Sequence, residues 1–423
     1  MTTTFRAVPV EIAEEILAYC HPRDVARVSQ TCRQFHSIVY EGDRYLWRAL
    51  FLSYPFDDPR QFSSSPSNAS KVDQADDYDW MGEVQRRVYA EIVVLSGRKG
   101  RDLTPILRTL LSGAALQSYN ITWLEKILKD TDILRDESTN SEELSLRHQL
   151  RSYISLSYDT KRSPFLKQLR LQSRCCVYDL RNYNAANLWG PYTIVEGEIR
   201  PNWKHVESII NVVTLNMREL DDIPAGFMLF RGKFRKPSLE RTRAYSAPGT
   251  RNRKPHDWAG VEGTWRRIVA FMDYRELFAF NYSDGNGTAN PDFFDDEVEE
   301  AVRLVEMNLT IDRDAKIEPE QFDDPAYPPI AYRGIARGTH SAVGQIKGTV
   351  RRYRNGTIRW TFLTYYDGDP QWSAEGVQLG NVCSASGMAG VWTGADHAVG
   401  DPAGPFLMWK VQDAPLASQS VKE

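Results

Sequence analysis

Val8-Pro9-Val10-Glu11-Ile12, Ile16-Leu17, His21-Pro22-Arg23-Asp24-Val25, Val28, Cys32-Arg33 and Phe35 crowd the N-terminus, and their spacing decides how it folds. A first helix is expected over residues 10–19, because Ile12, Ile16 and Leu17 share one face at helical spacing. Pro22 sits just inside a second helix, where a missing N–H is harmless. Val25 and Val28 stand three apart on it. Thr31 is expected to cap a third helix carrying Cys32, Phe35, Ile38 and Val39. After Trp47 the helical pattern fades.

Three helices of about ten residues bury too little of one another's apolar surface to stand alone. Such a unit wants a partner over its exposed face. The pattern resembles an F-box, the adaptor-binding module of cullin-type ubiquitin ligases. The resemblance implies that Pro9, Ile12, Ile16, Leu17, Val25, Val28, Cys32 and Phe35 dock onto a Skp-type adaptor, with a cullin scaffold behind it. The competing reading is a helical cap packed on the rest of the chain.

The chain has 423 residues, enough for two or three domains. A formal net charge of −4 argues against a dedicated nucleic-acid binder. Aromatics at 11% lean towards β structure. Cys20, Cys32, Cys175, Cys176 and Cys383 show no disulfide or zinc spacing, which suits reduced thiols in the cytoplasm or nucleus. No long apolar stretch follows Met1, so neither a secretory signal nor a membrane span is expected. No metal or cofactor is expected either, since the seven histidines lack any His-x-x-x-His spacing.

The expected architecture is α+β and multidomain. An F-box over 1–55 leads into a Ser/Asp-rich linker over 56–79, then a helical spacer over 80–170. The spacer stripes are 80–95, a helix opened by Pro105, the run Trp123, Leu124, Ile127 and Leu128, and 144–156. A β-barrel is expected over 171–412 and a flexible tail over 413–423. Candidate strands are 191–195, 208–217, 226–233, 263–280, 303–311, 330–337, 345–353, 357–366, 371–379, 388–393 and 405–411. Many short strands with glycine turns point to a sandwich or an antiparallel barrel.

One hairpin is specified in detail. Ile358, Trp360 and Phe362 alternate with polar residues, and Ile346 and Val350 are the apolar positions opposite. A two-residue Asn355-Gly356 turn would pair even with odd and put Lys347 and Arg351 on the core face. A three-residue loop, Arg354-Asn355-Gly356, pairs even with even and leaves Gly356 at a left-handed position.

The runs Gly260–Trp265, Gly348–Val350, Asn355–Trp360, Gln371–Gln378, Gly390–His397 and Asp401–Phe406 resemble the C-terminal halves of a subfamily of F-box proteins, many of them fungal. That resemblance implies a lipocalin-type β-barrel as substrate region. The recognition mouth is expected at Trp392, Asp396 and His397, with Arg359 and Gln371 as neighbours. Trp392 as buried core and Asp396 as a mere turn residue is the competing reading. The polar loops 382–390 and 394–404 flank the strand of Trp392, and they either share a mouth or lie at opposite ends. A basic run over 231–254 and an acidic run over 284–300 are either solvated loops or, for the basic one, a recruiter of acidic targets.

The reading that follows is the non-catalytic substrate receptor of a cullin-type ubiquitin ligase, binding adaptor at one end and a protein substrate at the other. Neither nucleic acid nor membrane is an expected partner. The alternatives are a lipocalin-like binder of a small ligand, and an enzyme using Asp396-His397 as orienter and base.

Overall fold

The computed structural model describes residues 8–42, 44–54, 56, 78–97, 102–114, 123–124, 126–128, 131, 133–134, 140–154, 164–219, 256–282, 293–294, 298, 300–338, 342–380, 382 and 387–412. The basic run, most of the acidic run, nearly all of the linker, the tail and the expected strand 226–233 lie outside them. The chain divides into two compact units, residues 1–63 with 68–144 and residues 145–423 with 64–67. Among the described residues no helix is long and apolar enough to cross a membrane.

The first unit opens with α1 (Val10–Ala18), α2 (Pro22–Ser29) and α3 (Arg33–Tyr40). Pro9 is the N-cap of α1, and its carbonyl accepts from Ala13 N–H at 3.1 Å. Pro22 holds the first position of α2, behind a His21 ring that accepts from Arg23 N–H at 3.1 Å. The cap of α3 is Cys32 rather than Thr31. Thr31 instead turns its hydroxyl back to Val28 O at 2.7 Å and closes α2.

A fourth helix, α4 (Tyr45–Ser53), stands where the pattern was expected to fade. Leu46, Trp47, Leu50 and Phe51 form its buried stripe, and the Trp47 indole donates to Val39 O at 2.7 Å. Then come α5 (Trp80–Ser96) and α6 (Thr104–Ala114). Phe51 packs between Phe56 and Trp80, at ring distances of 5.2 and 5.3 Å. The Arg87 guanidinium of α5 lies 4.4 Å over Phe56. Thus α5 covers part of the bundle, and the stretch expected as a separate spacer divides: α5 and α6 belong to the first unit, most of α7 (Ser141–Ile154) to the second.

In the second unit, α8 (Pro164–Tyr178) and α9 (Trp203–Glu219) pack together, and α9 lies against the barrel strands at its C-terminal end. Residues 208–217, expected as a strand, lie inside α9. Every described residue from His205 to Met217 is buried, although Glu207, Ser208, Asn211 and Thr214 make a polar stripe at helical spacing. Some of its buried polar groups find partners: Glu207 meets His148 at 2.6 Å and Arg151 at 2.9 Å, and Asn216 Oδ1 accepts from Arg170 at 2.8 Å, while Thr214 Oγ1 and Asn216 Nδ2 have none among the described residues.

Two short strands, β1 (Tyr192–Val195) and β2 (Glu198–Pro201), pair only with each other. Their hairpin lies on the barrel wall, where the Tyr192 hydroxyl donates to Gly376 O at 2.8 Å. The barrel itself spans residues 263–412 rather than 171–412. Its eight antiparallel strands are β3 (Gly263–Met272), β4 (Glu300–Ile311), β5 (Ile330–Gly338), β6 (Gly344–Arg352), β7 (Ile358–Tyr366), β8 (Asp369–Gln378), β9 (Met388–Gly394) and β10 (Ala403–Gln412), and β10 closes on β3. Each pairs with its neighbour in sequence, an up-and-down closure that leaves no free edge. The second half of the expected strand 263–280 is instead α10 (Tyr274–Tyr282).

The β6–β7 hairpin has the even-with-even register: Val350 faces Trp360 and Arg352 faces Ile358. Gly356 carries φ 88°, the left-handed conformation its turn requires. Trp265, Met307, Tyr332, Val350, Trp360 and Met388 pack one end of the barrel shut. Trp265 and Trp360 meet at 5.2 Å, and the Trp360 indole donates to Gln378 Oε1 at 3.1 Å. Gly390 is needed for closeness rather than for its φ, since a Cβ there would stand 2.6 Å from the Phe406 ring.

Candidate functional site

Each unit presents one feature that could engage another molecule. On the first, helical spacing sorts α1 into two faces. Ala13 and Leu17 point into the bundle. Ile12, Ile16 and Tyr19, at i, i+4 and i+7, point out and are 53%, 45% and 85% exposed. Pro9 extends the same apolar ridge, and Val10 is exposed on the other side of the first turn.

The eight residues expected to touch an adaptor therefore separate. Pro9, Ile12 and Ile16 are on the surface. Val28, Cys32 and Phe35 are half-buried. Leu17 and Val25 are corrected: both are buried in the bundle's own core, so they hold the module together and offer no surface. Tyr19 was not among the eight, although it lies on the face of Ile12 and Ile16 and is legible by spacing alone.

On the second unit, the barrel is open at the end away from Trp265. A cavity of about 650 Å³ enters there. Inward positions alternate along each strand, and those of β3 are Trp265, Arg267, Val269 and Phe271. Val305 faces Arg267 from β4, and Thr364, Trp372 and Trp392 continue the wall. Asp273, Tyr274 and Leu277, at the start of α10, reach the rim.

Arg267 is the floor of this cavity. It is only 7% exposed, and its guanidinium lies 4.3 Å over the Phe406 ring and 5.0 Å over Phe362. Its Nε is buried without a hydrogen-bond partner, and no ion pair is formed to it among the described residues. Burial pushes its pKa down to about 9, which leaves it charged at neutral pH.

The residues expected at the mouth do not converge. Trp392 is there: it faces the cavity from β9, donates to Ala270 O at 3.2 Å and stands edge-on to Trp372 at 5.2 Å. Gln371 and Asp396 are exposed on the adjoining rim, where Gln371 O accepts from Ala395 N–H at 3.1 Å. The loop after β8 lies at the closed end and the loop after β9 at the open end, so the two polar loops do not share a mouth.

His397 turns away from the mouth. Its backbone is left-handed (φ 51°), and its ring stacks on Trp189 at 4.1 Å. It lines a separate hollow of about 390 Å³ on the outer wall, beside Tyr183 and Asn281. Burial lowers its pKa, against the opposite pull of Asp401 and Asp396. The nearest hydroxyl is that of Thr393, 3.1 Å from Nδ1, and among the described residues no carboxylate is hydrogen-bonded to the ring. Asp396 therefore does not orient His397 as a base.

Arg359 is corrected as well. It is an odd position on β7 and faces outward, opposite to Trp360. There it makes two bonds to Glu375, at 2.7 and 2.9 Å, beneath the Tyr192 ring. Burial disfavours its charge, and Glu375 more than offsets this, so its pKa is raised. It ties hairpin to wall rather than lining a mouth. Arg267 was the group missed. A charge set within the alternation Trp265, Val269, Phe271 was the signal that marks it.

Residues 5–53 match the family model described as F-box-like, and the N-terminal bundle is an F-box-like domain. No curated protein and no solved structure matches the chain.

Proposed function

We propose that this chain is the substrate-recognition subunit of a cullin-type ubiquitin ligase, working in the cytoplasm or nucleus. The observation that carries the reading is the apolar ridge of Pro9, Ile12, Ile16 and Tyr19, left uncovered on the first helix of the F-box-like domain. A helix that exposes apolar residues at i, i+4 and i+7 is shaped to lie in a partner's groove. The partner is a Skp-type adaptor, which links the chain to a cullin scaffold.

The second unit then presents the target. Its barrel, an up-and-down closure of lipocalin type, supplies rigidity, and the loops of the open end supply recognition. Tyr274, Phe278 and Tyr282 form one exposed stripe along α10 beside that opening, 56%, 53% and 48% exposed. Aromatic anchors of this kind suit a protein target. The chain does no covalent chemistry in this scheme. It raises the effective concentration of a substrate lysine near the conjugating enzyme.

The test is co-purification of a Skp-type adaptor with the full chain. The double variant Ile12→Asp/Ile16→Asp is expected to lose the adaptor while its circular dichroism and melting profile stay those of the wild type. Adaptor retained by that variant at wild-type level would refute the reading.

A further inference from the structure

Among the described residues, six arginines with little-exposed side chains have acid partners. Arg87 meets Glu83, Arg151 meets Glu207, Arg174 meets Glu300, Arg351 meets Asp323, Arg352 meets Asp324 and Arg359 meets Glu375. Arg267 departs from this pattern: it is as deeply buried and lies on two aromatic faces. A buried charge without a counter-charge is strongly disfavoured, and cation–π contacts recover only part of that loss. Among the described residues the one acid that lines the cavity, Asp273, is exposed at the rim, and its Oδ1 accepts from Arg275 N–H at 2.8 Å to cap α10.

The walls above Arg267 are mostly apolar, with Val269, Phe271, Val305, Trp372 and Trp392, and the hydroxyl-bearing Thr364 and Tyr366 complete them. The volume, about 650 Å³, falls in the range of roughly 300–1,000 Å³ usual for small-molecule sites. A single cation at the bottom of an apolar well selects a ligand with one anionic head and an apolar body. A planar carboxylate matches the guanidinium fork.

The geometry points to the open end of the barrel as a binding site for a small monocarboxylic acid with an aliphatic body, held head-down with its carboxylate on Arg267. Arg303, exposed at the mouth over the Phe271 ring at 4.9 Å, draws the anion in, and Arg267 fixes it. Ligand entry supplies a counter-charge that Arg267 lacks among the described residues. The site does not depend on the ligase reading: Ile12→Asp/Ile16→Asp is expected to leave it intact, so the two proposals fail separately.

The experiment is titration calorimetry on the full chain with octanoate, dodecanoate and hexadecanoate, with dodecanol as the neutral control. Quenching of Trp372 and Trp392 fluorescence provides a second readout. The wild type is expected to bind at least one of the acids at one per chain, and dodecanoate about tenfold or more tighter than dodecanol. Arg267→Met is expected to weaken carboxylate binding by roughly 10–100-fold, the range for a charge-assisted hydrogen bond, with dodecanol unchanged. Met fills a similar volume without charge, so the barrel is expected to hold. Val305→Trp, which fills the well beside an intact Arg267, is expected to abolish binding of acid and alcohol alike and remains informative should Arg267→Met not fold. No saturable binding of any acid, equal affinity for dodecanoate and dodecanol, or full dodecanoate affinity in either variant overturns the proposal.

Discussion

Replacing Arg359 by Met separates a structural arginine from a recognition arginine. Its partner Glu375 has a side chain only 11% exposed, sealed under Tyr192, and the pair makes two charge-assisted bonds at 2.7 and 2.9 Å. Burial pushes the Glu375 carboxyl up, and Arg359 pulls it back. Removing the guanidinium strands the carboxylate, a change worth about 3–5 kcal/mol of stability. For a unit of this size that is a fall on the order of 10 °C in melting temperature. The sign of the pH dependence is a sharper check. Without Arg359 the folded-state pKa of Glu375 lies above its unfolded value. The folded state then holds a proton that the unfolded state releases, so stability falls as pH rises through the window above ~4.3, and part of the loss is recovered at low pH. The double variant Arg359→Met/Glu375→Leu is expected to return close to wild-type stability, because it leaves no orphaned charge. Urea melts at two pH values, followed by tryptophan fluorescence, measure all of this. Were Arg359→Met to melt with the wild type yet lose target binding, the arginine would be a recognition group and the reasoning would be wrong.

Leu17→Ala is expected to destabilise the first unit by about 2–5 kcal/mol, as a buried leucine should, whereas Ile12→Ala on the exposed ridge changes it by about 0.5 kcal/mol or less; thermal melts that rank them the other way would contradict the two faces of α1. His205 is buried beside the Tyr183 hydroxyl, 3.0 Å from Nε2, and burial pushes its pKa down to about 4. Between pH ~6.5 and that value the unfolded chain binds a proton that the folded one refuses, so stability should drop by about 3 kcal/mol as pH falls across the window. His205→Gln should show a shallower pH dependence in urea titrations, and an unchanged slope would mean that some other group titrates there.

Where one face of an element is buried and the other wet, its period was readable. Ile358, Trp360 and Phe362 gave the orientation of β7, and the demand that Ile346 and Val350 share their face gave the loop length and register later seen at Val350–Trp360. The same logic placed α1 and α2. It failed on α9, where the helical stripe of Glu207, Ser208, Asn211 and Thr214 was outweighed by β-branched composition. Ile209, Ile210, Val212 and Val213 are β-branched, so local preference pointed to a strand while tertiary packing favoured a helix. It also failed where exposure depends on neighbours not yet placed. Leu17 and Ile16 are adjacent apolar residues, and only the arrival of α4 determines which one is covered. Arg359 and Glu375 are sixteen residues apart, brought together by the β7–β8 register, which sets Thr361 opposite Glu375.

The cavity, by contrast, is written in residue size along the inward positions. Near the closed end those positions carry Trp265, Tyr332 and Trp360, which fill the cross-section. One layer up, Phe362 and Phe406 lie under Arg267. Beyond that layer the inward positions divide: Ala336 and Gly338 on β5 and Thr364 on β7 are small, while Phe271 on β3, Tyr366 on β7, Trp372 on β8 and Trp392 on β9 are large. A barrel of eight strands has a width fixed by strand number and stagger, so smaller side chains cannot draw the wall inward. They leave space. A cavity produced by packing failure would sit among large residues poorly fitted. This one is bounded on the β5 side by Ala336 and Gly338, small at successive inward positions, and floored by Arg267.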